Sequence, residues 1–172
     1  MNDIDPARRA NFDPGGTIDV ASRWLTAILE ERDLAKAWPL TAPDFRLGRA
    51  QAWILDTSGR PDDELARGLS APDQPAHPQW ANFADWAVTR WHLAWGMLVR
   101  DGWGYLDNVE IAGVDLEQVL VVQGDEARAV AAGEELLVWR FTLHRTDTWR
   151  VAGTGTTIVV PGWPPRDAEL PS

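Results

Sequence analysis

The stretch from His77 to Trp103, HPQWANFADWAVTRWHLAWGMLVRDGW, most constrains what this chain can fold into. Placed at 100° per residue, Trp80, Phe83, Ala84, Trp86, Ala87, Val88, Trp91, Leu93, Ala94, Trp95, Met97, Leu98 and Val99 cover well over half of a helix's circumference. A helix over His77–Arg100 is about 36 Å long at about 24 residues. One so apolar must be enclosed on several sides. Pro78 suits its first turn and Gly102 its exit. The remaining arc, Asn82, Asp85, Thr89, His92, Gly96 and Arg100, is expected to meet water. Arg90 is the exception, because the wheel places it between Trp86 and Phe83 on one side and Met97 on the other. A guanidinium there needs a protein carboxylate, several carbonyls or a ligand's oxygen. Arg90 is therefore a candidate for binding or chemistry, with a structural ion pair as the competing reading.

The 172 residues fit one domain, with enough chain to bury a core and enclose a cavity. Without cysteine there is no disulfide framework and no thiolate metal site, and three histidines at 77, 92 and 144 lack metal-ligand spacing. No metal or organic cofactor is expected. A formal charge of −10 opposes binding to phosphate backbones and anionic membranes, so neither nucleic acid nor membrane is an expected partner. The start, MNDIDPARRANFDPGG, is polar rather than a signal peptide, which makes the cytoplasm the expected compartment. Eleven tryptophans against one tyrosine and four phenylalanines either fill the core or wall an aromatic pocket; both readings stay open.

In chain order, residues 1–16 read as a flexible arm, 17–160 as one domain and 161–172 as a tail. Ile18, Ala21, Trp24, Leu25, Ile28 and Leu29 recur at helical spacing behind Thr17 as N-cap. Asp33 caps a short LAKAW helix that Pro39 stops, and Thr41 with Asp44 has the form of a capping box for a third helix from Pro43 to about Asp56. A strand is the alternative over 44–56. SGRPDDELARGLS fits a short helix with an acidic start, and APDQPAHP a connection. After Gly104 the pattern turns to strands: Leu116–Gln123, then Leu136–Arg145, with Trp139 and Phe141 on one face and Arg140, Thr142 and His144 on the other. A turn at Thr146–Thr148 leads to Trp149–Val160, bent or bulged at Gly153 and Gly155, and Val109–Ile111 adds a short edge strand.

Helices first and a bent antiparallel sheet last make an α+β fold with the sheet wrapped on the long helix. The first helix ending in ERDLAKAWPL and the closing strands LLVWRFTLHR and WRVAGTGTTIVV resemble the NTF2-like, SnoaL-like superfamily over about half of the chain. That resemblance implies a cone-shaped fold of helices on a strongly curved sheet with an internal cavity. It also implies one of two roles. The first is a cofactor-independent lyase, isomerase or cyclase using acid–base chemistry. The second is a non-catalytic ligand-binding or homodimeric assembly protein. It transfers no catalytic residue to this chain.

The residues able to serve such a cavity are few. Arg90, Tyr105 and His144 are the candidate catalytic groups, as anion binder, hydroxyl donor and acid or base. Trp53, Trp91, Trp95, Trp139, Arg140 and Phe141 are the candidate ligand-binding groups. The expected ligand is a small apolar molecule or one bearing a carboxylate or carbonyl. For Arg140 and His144 the competing reading is a solvated outer sheet face. The expected assembly is a homodimer paired through that face.

Overall fold

In a computed structural model of the chain, residues 12–72, 76–96, 98, 102–111, 115–123 and 138–155 are described, with 105–111, 122, 123 and 138 by backbone alone. Helix α1 (Thr17–Leu25) buries Ile18, Ala21, Trp24 and Leu25, as the spacing predicts, and also Val20, which lies outside the predicted stripe. It begins one residue earlier than expected: Gly16 is the N-cap, and Asp19 reaches back to accept the Gly15 N–H at 2.9 Å. The chain then widens into a π-turn over Thr26–Glu30, in which the Glu31 N–H bonds the Thr26 carbonyl at 3.0 Å. Arg32, in the left-handed region at φ 54°, ends it. Asp33 caps α2 (Leu34–Ala37) by accepting the Lys36 N–H, and Trp38–Leu40 form a 3₁₀ turn around Pro39.

Residues 44–56 are helical, within α3 (Pro43–Ser58), which settles the helix-or-strand alternative. Its start differs from the predicted capping box. Ala42 is the N-cap, Pro43 takes the first turn, and Thr41 turns inward instead. The Thr41 hydroxyl donates to the Ala37 carbonyl at 2.8 Å and accepts the Trp24 indole N–H at 2.9 Å. Gly59 closes α3 at φ 69°, donating its N–H to the Leu55 carbonyl, a left-handed cap that favours glycine. Asp62 caps α4 (Asp63–Ser70) through the Leu65 N–H at 3.0 Å.

The long helix, α5, runs over Trp80–Ala94 and is shorter than the predicted His77–Arg100 span. At its start the Trp80 N–H bonds the His77 carbonyl in a turn, so Pro78 lies before the helix. At its end Trp95 leaves helical geometry, at φ −119° and ψ 32°, and its ring sits 5.5 Å from Phe141. Gly102 makes the exit at φ 76°. Trp91 and Leu98 are fully buried, as the wheel predicts, and Trp86–Trp91 is unbroken; Leu93, placed in the apolar arc, is 79% exposed. Met97, Val99 and Arg100 lie outside the described residues.

Strands β1 (Trp103–Ile111), β2 (Leu116–Gln123), β3 (Val138–Arg145) and β4 (Trp149–Thr154) form an antiparallel sheet in the order β1-β2-β3-β4. β1 is longer than the three-residue strand expected, because its ladder to β2 starts at Trp103 opposite Gln123. The β3–β4 register passes from Thr142 opposite Gly153 to Leu143 opposite Val151, so Ala152 is the extra residue of a bulge beside the predicted Gly153. β2 buries Val119 and Val121 and half-covers Gln118 and Leu120, rather than being buried on both faces. Predicted strand residues Leu136, Leu137 and 156–160 lie outside the described residues. Thr41 lies parallel to Val151, and the Ala42 N–H bonds the Val151 carbonyl at 2.8 Å, so the entry to α3 covers that edge of β4.

The fold is thus α+β, with one correction to the packing. The sheet lies directly on α1, which meets all four strands, and α5 reaches it through Trp95. Aromatic rings occupy the space between α1, α5 and the sheet. Trp24 lies 5.0 Å from Trp91, 6.0 Å from Trp95 and 5.8 Å from Phe141, ring centre to ring centre. A second aromatic group, Trp38, Trp80, Phe83 and Trp53, packs edge to face at 5.3–5.8 Å around the start of α5. Edge-to-face packing of this kind lets large rings fill a core without voids.

Candidate functional site

Arg90 is not enclosed among apolar side chains as the wheel suggested. Its side chain is 35% exposed, its Nη2 donates to Asp56 Oδ2 at 2.8 Å, and its guanidinium carbon sits 4.8 Å over the Trp86 ring. Trp86 donates its indole N–H to the same oxygen, also at 2.8 Å. These two donors hold the Asp56 carboxyl below the usual carboxylate range, the Arg90 hydrogen bond being the larger cause. Arg90 is the α5 half of an ion pair to α3.

The deeply buried guanidinium is a different one. Arg49 on α3 is 1% exposed and lies between two indoles, 5.1 Å from the Trp86 ring centre and 4.9 Å from that of Trp91. Its neighbour Arg46, one turn earlier, is also buried and donates to the Trp38 carbonyl at 3.4 Å. Burial, with the Arg150 charge second, lowers the Arg46 pKa. Helical spacing groups Arg46 and Arg49 with Asp56 on one side of α3 but marks neither as a site. Arg46, Arg49 and Trp53 recur three and four apart on one helix, which was the available signal.

The other predicted residues divide into separate places. Trp91, Trp95 and Phe141 belong to the aromatic centre with Trp24. Trp139 is half-buried at its margin. Arg140 and His144 are exposed on the opposite face of β3, which agrees with the solvated reading of that face; Thr142 between them is buried. Tyr105 pairs with Val121 in the β1–β2 ladder, and its side chain lies outside the description. His92 is not a surface histidine. It is half-buried, with Nε2 2.9 Å from the Ile28 carbonyl inside the π-turn. A carbonyl only accepts, so Nε2 carries the hydrogen and fastens α5 to a turn whose widened ladder leaves that oxygen available.

Trp53 stands apart from these, at the wall of a surface groove of about 910 Å³ between α3, α4 and α5. The floor and walls are Trp53, Ile54, Leu65, Pro61 and Trp86; the polar groups are Thr57, Ser58, Arg60, Asp62, Gln79, Asn82 and Asp85. Thr57 Oγ1 donates to the Trp53 carbonyl and Ser58 Oγ to the Ile54 carbonyl, each at 2.8 Å. Asn82 donates to Gln79 Oε1 at 3.3 Å. Sequence reading singled out Trp53 in this groove and missed its partners, because α3, α4 and α5 meet there through contacts far apart in the chain. Among the described residues no three histidine, aspartate or glutamate side chains converge as metal ligands, and no helix is long and apolar enough to cross a membrane. Comparison with protein-family models, with curated proteins and with solved structures finds no match to this chain.

Proposed function

We propose that this protein binds a small molecule, and that its site is the groove between α3, α4 and α5. The observation that carries this reading is the groove itself: about 910 Å³, walled by two tryptophans, with convergent polar groups from three helices. Ligand sites are typically about 300–1,000 Å³ with apolar walls and placed polar groups; this groove matches in volume and in its aromatic walls and is more polar than most. Binding is favoured over acid–base catalysis because the buried polar residues described are Thr17, Thr41, Arg46, Arg49, Gln51 and Thr142. None is a carboxylate or imidazole, the groups whose pKa a dry site raises or lowers toward neutrality.

The likeness to NTF2-like cones belongs to the same proposal. It is supported by helices preceding a meandering antiparallel sheet, with irregular pairing between β1 and β2 and between β3 and β4. The homodimer is likewise proposed, now on the observation that Leu93 stands 79% exposed on α5. Sedimentation checks it: a monomer of about 19 kDa at micromolar concentration, unchanged by Leu93→Asp, rules the dimer out.

The site is tested by a fragment screen read on the indole N–H resonances of Trp53 and Trp86. Asn82→Trp, at an exposed α5 position, fills the groove from its rim and leaves the core untouched. Ligands that shift both resonances and lose binding in Asn82→Trp support the site. Hits that ignore the substitution, or a screen without hits, overturn it.

A further inference from the structure

Resting on the reading of this groove as a binding site, we infer that its ligand is an organic cation, an amine or guanidine carried on a flat apolar body. The groups facing the groove are biased toward accepting hydrogen bonds. The Thr57 hydroxyl hydrogen is spent on the α3 carbonyls, which leaves Oγ1 as an acceptor for anything in the groove, whereas Ser58 Oγ, bonded to the Ile54 and Arg60 carbonyls, already accepts the Arg60 N–H at 3.4 Å. Asp62 uses Oδ1 to cap α4 and keeps Oδ2. Asp85 is exposed and makes no hydrogen bond or ion pair among the described residues. Asp56, beyond the groove wall, is already occupied by Arg90 and Trp86 and does not compete.

Charge points the same way. The lining holds two carboxylates, Asp62 and Asp85, against one guanidinium, Arg60, in a protein of formal charge −10. Helix dipoles reduce this bias without reversing it: the N-termini of α4 and α5 bring about +0.5 each and the C-terminus of α3 about −0.5, a net of about +0.5 against the net −1 of the lining side chains. An ammonium offers three donors and no acceptor, which matches such a lining; a carboxylate offers the reverse. The indole walls suit a flat body, and indole rings attract cations placed over their faces. Trp86 already carries two protein guanidiniums, Arg49 and Arg90, within 5.1 Å of its ring centre, so the cation–π part of the argument falls to Trp53.

Three probes with one indole body separate the possibilities: tryptamine as the cation, indole as the neutral form and indole-3-acetate as the anion. Titration calorimetry on the full chain at low salt is expected to give tryptamine roughly tenfold tighter binding than indole, and indole-3-acetate the weakest. Asp85→Asn should bring tryptamine to within about twofold of indole, while Arg60→Gln leaves it unchanged or tighter. Equal binding of the three probes, or a preference for indole-3-acetate that Arg60→Gln removes, overturns the cation and leaves the groove standing. A tryptamine preference that survives Asp85→Asn comes from the protein's overall charge, and that also overturns the inference. No binding by any probe, with Trp53 and Trp86 resonances unmoved, removes the groove reading together with it.

Discussion

Trp24 and Trp91 are equally buried and lie in edge-to-face contact, yet they differ in one hydrogen bond. The Trp24 indole N–H donates to Thr41 Oγ1 at 2.9 Å; the Trp91 N–H has no acceptor among the described residues. Replacing each by phenylalanine removes similar volume, so the transfer and cavity costs largely cancel between them. At Trp24 the change also gives up a net hydrogen bond of about 1 kcal/mol. At Trp91 it removes a buried unpaired donor, which relieves about 1–3 kcal/mol. Against this, Trp91→Phe weakens the contact with Arg49, 4.9 Å away, by about 0.5–1 kcal/mol. The balance predicts that Trp24→Phe is more destabilising than Trp91→Phe by about 1–3 kcal/mol. Urea denaturation followed by far-ultraviolet circular dichroism avoids the overlapping fluorescence of eleven tryptophans, and midpoints compared at a common slope give the difference. Equal losses, or a larger loss at Trp91, refute the reasoning.

Trp91→Ala should cost about 3–5 kcal/mol by the same denaturation, as for other large core sites; under about 1 kcal/mol would mean the ring is not core. Arg90→Met should cost about 1 kcal/mol at low salt and less at high salt, since its pair with Asp56 is half-exposed; a salt-independent loss of about 3 kcal/mol or more contradicts this placement. The Asp56 carboxyl is lowered in the folded state, so its contribution is present above the unfolded pKa of about 4 and is lost as pH falls through the lower folded value. Stability measured across that acid range should therefore fall more steeply in the parent protein than in Asp56→Asn. Gly59→Ala, at φ 69°, should destabilise by about 1–2 kcal/mol in thermal melts, because a Cβ strains the left-handed cap of α3 although no neighbour crowds it.

Local pattern carried the parts of this fold that depend on neighbours in sequence. The stripe from Ile18 to Leu29, the Asp33 cap, the burial of Trp91 and Leu98 and the bulge beside Gly153 follow from helical or strand periodicity and from side chains that reach a few residues along the chain. The helical wheel failed where distant segments compete for one side chain. It put Arg90 in the apolar arc but does not contain Asp56, 34 residues away, which draws that guanidinium outward; nor does it contain Arg49 of α3, which Trp86 and Trp91 enclose. Thr41 reads as a capping residue until Trp24 and Ala37 take its hydroxyl, and Trp95 reads as mid-helix until Phe141 and Trp24 offer its ring a better contact. The candidate site follows the same rule. Its aromatic content and excess of acids are visible in the sequence. That Trp53, Asp85 and the α3 hydroxyls face one groove was decided by how three helices pack, because hydrophobic burial is non-directional and leaves the choice of neighbours to shape.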